Sequence, residues 1–307
     1  MRRIYIDFMG NRKWLFIASG VVLAIAIGAL AVRGLTFGIE FRGGTTITLP
    51  QKEGVTTEKV QQALSKMEMG DAIVQPVLTA GKPDGWLIRS GVSDTAKAND
   101  AFQSVAKDLG IPLSEARASV IAPSYGSTIT NAAMMALVAS IAAILLYISI
   151  RFEYKMSVTA VIALVHDAVI TLGIYALVGR EVTPNTVAAL LTILGYSLYD
   201  TIVVFHRIRE NTQHLTKKSF MQMANDSINQ VLARWINTGI SQIIPVVVLL
   251  AFGGETLKDF AFALLVGLIS GAYSSVGVAS PLYAMWKETE PRYKALKERY
   301  ARAQAKA

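Results

Sequence analysis

Six stretches of this chain are apolar for long enough to cross a lipid bilayer, and that constraint decides most of its fold. A span needs about 20 mostly apolar residues to cover roughly 30 Å of hydrocarbon. Inside lipid the backbone must satisfy its own hydrogen bonds, so stretches of this length can only be helices. Trp14–Val32 and Ala132–Ile150 each run 19 residues without a charge. A third stretch, about Met156 to Val178, contains His166 and Asp167. A fourth, about Pro184 to Phe205, contains Asp200. The fifth is about Trp235–Phe252, and the sixth, about Phe260–Trp286, has 27 residues and no charge. The first has signal-peptide flanks, but a cleavable apolar core is only about 7–15 residues, so it reads as an uncleaved anchor.

Composition agrees: 52% of the residues are hydrophobic and 17% charged, against roughly 25% charged in soluble domains. The absence of cysteine removes disulfide scaffolds, thiolate metal sites and cysteine nucleophiles. The net charge of +8 is a question of location. The N-terminus, Arg151 to Lys155, Arg207 to Arg234 and the tail from Lys287 together hold 18 basic and 7 acidic residues. Residues 34–131 hold 9 basic and 10 acidic. Positive segments stay in the cytoplasm, so both termini are expected inside and residues 34–131 outside. The charge is then a topology signal and not a nucleic-acid footprint. Trp14, Phe152, Tyr154, Trp235 and Trp286 are expected at the membrane interfaces.

The spacing predicts a domain in residues 34–131. Strands are expected at Thr45–Leu49, Ala72–Leu78, Trp86–Ser90 and Leu113–Ile121, with a turn at 81–85. Helices are expected behind Thr56 and Thr57 through Met69, and behind Ser93 as a cap. The order β-α-β-β-α-β is the split βαβ, ferredoxin-like arrangement. The expected organisation is therefore a cytoplasmic start (1–13), helix one (14–33), an outer α+β domain (34–131), helices two to four (132–206), a cytoplasmic loop with an amphipathic helix (207–234), helices five and six (235–286) and a basic cytoplasmic tail (287–307). The outer domain has no His, Cys or Ser-His-Asp set and reads as a handling domain. No enzyme activity, cofactor or metal is expected.

Charged groups in hydrocarbon are costly and usually face a bundle interior or a water path. Asp167 lies ~18 Å along helix three from Lys155, and Asp200 ~10 Å from Arg207 at the end of helix four, so the two acids are expected at comparable depth. Burial and nearby cations act oppositely on a carboxyl group, so a buried acid with a movable arginine can serve as a proton relay. The structural alternative pairs Asp200 with the nearby Arg207, Tyr196 or Ser197. For Asp167 it leaves His166 bonding a neighbouring helix. His206 is expected at the solvated end of its helix.

Phe220, Met223, Ala224, Val231 and Trp235 recur at helical spacing, with Lys217, Lys218, Asn225, Asp226 and Asn229 off that face. This predicts an interfacial helix lying on the membrane before span five and ending at Arg234. Small residues repeat every four positions at Gly20, Ala24 and Gly28, and at Gly267, Gly271, Ser275 and Ala279; both are expected to be packing faces. Gly43 and Gly44 are expected to form the tight connection between the first span and the first strand.

Several of these segments, in this order, resemble the SecF branch of the SecD–SecF protein-export family, within the resistance-nodulation-division superfamily. The segments are Gly38-Ile39-Glu40-Phe41-Arg42-Gly43-Gly44, Arg151-Phe152-Glu153, Ala163-Leu164-Val165-His166-Asp167, the run Gly195 to Asn211 with its Tyr196-Ser197-Leu198-Tyr199-Asp200 core, and Phe252-Gly253-Gly254. The resemblance implies six membrane helices with a ferredoxin-like insert. It implies SecD, the SecYEG channel, YajC, lipid and a translocating preprotein as partners, in the bacterial inner membrane. It further implies use of the proton gradient, after SecA has used ATP, to complete translocation. The proton pathway it implies runs through Asp200 and Arg234, with Asp167 added and His166, Tyr196, Ser197 and Tyr199 in support. Glu40, Arg42, Tyr199 and His206 depart from the usual family residues. Other readings are a passive scaffold for SecD, a small-molecule half-transporter, for which the outer domain is small, and an intramembrane aspartyl protease, for which the Gly-x-Gly-Asp sequence is missing.

Overall fold

The computed structural model describes residues 5–67, 69, 71–79 and 82–304. Arg2, Arg3 and Lys306 of the basic termini, and Gly81 of the expected turn, lie outside them. The chain opens with α1 (Arg12–Arg33), β1 (Thr36–Phe37), a single turn α2 (Ile39–Arg42) and β2 (Gly44–Pro50). There follow α3 (Thr57–Ser65), β3 (Ile73–Thr79), β4 (Lys82–Ser90), α4 (Thr95–Asp108) and β5 (Arg117–Ile121). The rest is almost wholly helical: α5 (Pro123–Arg151), α6 (Tyr154–Val178), β6 (Glu181–Val182), α7 (Pro184–Gln213), α8 (Phe220–Phe252), α9 (Gly254–Ser274), a π-helical turn (Ser275–Ala279), α10 (Ser280–Glu288) and α11 (Pro291–Gln304).

Among the described residues six helices are long and apolar enough to span a membrane. They are α1, α5, α6, α7, α8 and the continuous run 257–288. That last run and α6 form the inside of the bundle, with 67% and 50% of their most apolar windows buried, whereas α5 and α8 bury only 6% each and stand outermost. The N-terminal segment and the start of α8 meet at one end: Tyr5 Oη donates to Asp226 at 2.8 Å and Met9 N to Asn225 Oδ1 at 3.2 Å. At the same end Lys287 holds Glu153 and Glu290 at 2.7 and 3.0 Å. Both described ends of the chain therefore gather on one side of the bundle.

The inserted sheet is antiparallel throughout, in the order β3-β4-β2-β5. Its register sets Ile47 opposite Ile88 and Leu49 opposite Trp86. These side chains are buried with Val60 and Leu64 of α3 and Val105 of α4, one small core under two helices. Thr56 caps α3 by accepting from Lys59 N. The cap of α4 is Asp94 rather than Ser93, accepting from Ala96 N and Lys97 N at 2.8 and 3.2 Å, because a carboxylate one residue nearer the helix reaches two free N–H groups. The last strand starts at Arg117 and not at Leu113, since Pro112 to Glu115 closes a turn first.

Three further expectations are corrected. The amphipathic stretch is no separate interfacial helix. It is the first half of the 33-residue α8, and its apolar face packs under Tyr283 and Tyr293 instead of lipid. Asn225, read as surface, is buried there. The stripe Gly20, Ala24, Gly28 faces outward, and α1 instead meets α6 at Ala26, where a Cβ on Gly173 would lie 2.3 Å from the Ala26 Cβ. Phe152 is buried within the protein, directly after the end of α5. His206 is exposed, as expected, but it is not at the end of its helix, because α7 continues about two turns further to Gln213.

The domain is tied to the bundle at four places. Thr36 and Phe37 pair in parallel with Glu181 and Val182, a ladder too short to read from sequence. Arg89 of β4 reaches Glu181 at 2.5 Å, both largely buried. A Cβ on Gly126 would lie 2.5 Å from Phe41 O. Finally, Gly43 and Gly44 turn the chain at φ +79 and +147; a Cβ on Gly43 would lie 3.0 Å from the Pro123 backbone at the start of α5, and one on Gly44, inside the sheet, 2.3 Å from Ser90 O. Gly44→Ala is therefore expected to cost on the order of 2–4 kcal/mol through backbone strain and collision. Gly20→Ala, with nothing within 4 Å, is expected to stay within about 0.5 kcal/mol. Thermal unfolding followed by limited proteolysis of the inserted domain checks both.

Candidate functional site

The centre of the bundle is built on Asp167, midway along α6 and fully buried. A carboxylate offers about four acceptor positions, and four donors fill them. Ser270 Oγ and His166 Nδ1 approach Oδ1 at 2.7 and 3.0 Å. Ser197 and Ser274 hydroxyls approach Oδ2 at 2.6 and 2.8 Å. Ser270 and Ser274 are one helical turn apart on α9, so both face the same point. Ser197 comes from α7. His166 extends the network to α1, where Ser19 Oγ lies 2.6 Å from its Nε2.

The small-residue repeat on α9 explains how these serines reach. A Cβ on Gly267 would fall 2.2 Å from Ile193, and one on Gly271 would fall 2.9 Å from Ser197. Bare backbone at both positions lets α9 close on α7. The π-helical turn follows at once. Pro281 has no N–H to return to the ladder, the Ser280 N–H donates five residues back to Ser275 O, Ser280 Oγ shares that carbonyl at 2.7 Å, and Ser275 Oγ lies 2.9 Å from Thr201 Oγ1.

Ser19, His166 and Asp167 stand in the hydrogen-bond order of a hydrolytic triad. Ser19, however, sits inside α1, whose N–H groups are spent in the helix. Among the described residues no pair of free backbone donors stands beside Ser19 for an oxyanion. The arrangement joins α6 to α1, α7 and α9 by hydrogen bonds.

Asp200 is the opposite case. It lies one turn beyond Ser197 on α7, ~4.5 Å further along the axis, so the two acids do stand at neighbouring depth. Its residue is 9% exposed, yet among the described residues its carboxylate meets no hydrogen-bond or ion-pair partner. None of the expected partners engages it. Arg207 turns to Gln230 and Glu210 at 2.5 and 2.6 Å, and Ser197 goes to Asp167. What faces Asp200 is a cavity of about 10 Å³ between α7 and α8, lined by Arg234, Trp235, Thr238 and Tyr199. That is space for about one water. Trp235 Nε1 is buried without an acceptor. Tyr199 links this cavity to a wider groove of about 420 Å³, lined by Tyr196, Thr192, Gly195 and Gln242.

The expected site residues thus separate into three places. His166 and Ser197 serve Asp167. Tyr196, Tyr199 and Arg234 flank Asp200 on the open face. Glu40, Gly43 and Gly44 stand apart, at the hinge of the inserted domain. Sequence reasoning missed Ser19, Ser270, Ser274 and Trp235. The i, i+4 pair Ser270 and Ser274 flanking Gly271 was the available signal.

Comparison with known proteins fits this architecture. The family described as protein export membrane protein SecD/SecF, C-terminal, matches residues 101–289, and the SecD/SecF GG motif matches residues 28–50. The protein translocase subunit SecF of Streptomyces coelicolor is 42% identical over 95% of this chain and 80% of its own length. That of Calditerrivibrio nitroreducens is 38% identical over 94% and 96%. The crystal structure of SecDF, a translocon-associated membrane protein from Thermus thermophilus, superposes with a TM-score of 0.81 at 32% identity, covering 93% of this chain. This chain spans only 39% of that one.

The two acids call for opposite responses to the same substitution. Asp167→Asn puts an amide N–H among four donors and removes charge-assisted bonds worth about 1.5–3 kcal/mol each. The expected loss is about 3–5 kcal/mol. Asp200→Asn removes no bond and is expected to cost less than about 1 kcal/mol. Thermal unfolding in detergent distinguishes them.

Proposed function

From membership of the SecD/SecF protein-export family, to which this multi-pass membrane chain belongs, we infer that it is a SecF-type subunit that uses the proton motive force to complete protein translocation. The reading places it in the bacterial inner membrane with a SecD protein supplying six further helices. SecYEG is the channel served, YajC a further associate, and SecA the earlier ATP-dependent motor. The likeness to a solved SecDF chain supports a SecD partner. The gathering of both ends on one side and the positive segments there support cytoplasmic termini. The sheet order β3-β4-β2-β5 supports a ferredoxin-like reading of residues 34–131, and of the division of the chain set out above. That domain would handle the emerging preprotein.

The observation that carries the proton reading is the unpartnered Asp200 beside Arg234. An acid with no fixed donor can take up and release a proton without breaking a bond, and the Arg234 side chain lines the same cavity. Tyr199 and Tyr196 line the way from that cavity to the surface. Asp167 has no such freedom and is read as the anchor that holds α7 in place. Its support for the pathway is positional.

The test is translocation into inside-out membrane vesicles. Asp200→Asn should still co-purify with its SecD partner and leave SecA-driven steps intact. It should lose gradient-stimulated export by at least about tenfold. Arg234→Met should do the same. Export at the wild-type level in both variants would reduce the chain to a passive scaffold for SecD.

A further inference from the structure

The helix α5 is pinned at its two ends and stands off the bundle between them. Near its start Gly126 is buried against Phe41 O, and near its end Ile148 is buried in the core. Every inward position between them, at Ile129, Ala133, Leu137, Ser140 and Ile144, is only half covered. The gap holds two apolar cavities. One of about 300 Å³ lies beneath Phe37, Phe41 and Arg42. The other, of about 180 Å³, lies deeper, between α5, α6 and α7. Leu137 lines both, so they are successive parts of one crevice.

We propose that this crevice binds an anionic phospholipid, with an acyl chain along α5 and the phosphate on Arg42. From Thr130 to Leu145 the crevice runs ~22 Å, more than half of the roughly 30 Å hydrocarbon core and long enough for one leaflet's acyl chain. Its depth is right as well. The apolar run of α5 begins at Ala132, so Thr130 and Arg42 stand at the headgroup level and Leu145 lies within the hydrocarbon. The deeper cavity is lined by aliphatic side chains alone. A single turn of helix fills about 400 Å³, so the slot admits a chain and excludes a partner helix.

Arg42 supplies the charge. It is exposed at the mouth, and among the described residues it has no hydrogen-bond or ion-pair partner. A guanidinium left free at a membrane surface matches phosphate in geometry as well as charge. The acid nearest in sequence, Glu40, is two residues away and therefore on the opposite side of the α2 turn. Its carboxylate points inward, with Oε2 2.4 Å from where a Gly38 Cβ would be.

The experiment uses the full chain, purified in detergent and delipidated, with bound lipid counted by native mass spectrometry. Phosphatidylglycerol should be retained about fivefold better than phosphatidylcholine, whose choline offsets the phosphate charge. Arg42→Gln, at an exposed position, should bring the two to parity while leaving the fold unchanged. Leu137→Trp should empty the crevice of both lipids, and Ala133→Trp serves if the first variant does not fold. Glycerol phosphate or inorganic phosphate at millimolar concentration should not compete. Equal retention of the two lipids by the unmodified chain, undiminished preference in Arg42→Gln, competition by phosphate alone, or retention despite both tryptophans would each overturn the proposal.

Discussion

A buried carboxylate with all its acceptor positions filled is the constraint on which this bundle rests. A lone charge in hydrocarbon costs several kcal/mol, so Asp167 is tolerable only where other helices bring donors to it. Those donors come from α7 and α9, and through His166 from α1. Once they are required, the close packing is required too. Gly267 and Gly271 must be bare for α9 to approach, Gly173 must be bare for α1 to approach α6, and the helix beyond Ser274 loosens into a π-turn where Pro281 interrupts the ladder.

Against that fixed point, Asp200 is conspicuous for what it lacks. It shares a helix with Ser197, which is locked, yet has no donor of its own. The two acids have separate surroundings, one bonded by donors from two further helices and the other bonded to none among the described residues. The residues near the free acid lie on the open α7 and α8 face, where α8 is among the least covered of the spans.

Much of this was legible beforehand, for physical reasons. The six spans follow from the length of apolar runs. The α/β order of the insert follows from two clear periodicities, and the comparable depth of Asp167 and Asp200 follows from helical rise. The partners of those acids were not legible. Spacing along one helix says nothing about which serine of a distant helix arrives, so Ser270 and Ser274 stayed hidden and Ser197 was assigned to the wrong acid. The α8 amphipathic stretch misled because an apolar face looks the same whether lipid or Tyr283 covers it. The two-residue β1 and β6 ladder carries no period at all.

On this view Asp200 is the group that moves protons, while Asp167 holds the helices. Gradient-driven proton flux through the complex, reconstituted with its SecD partner into sealed vesicles, separates the two roles. Flux is expected in the unmodified complex and none above background in Asp200→Asn, with the complex still assembled. Flux at the unmodified level in Asp200→Asn would contradict this division of roles.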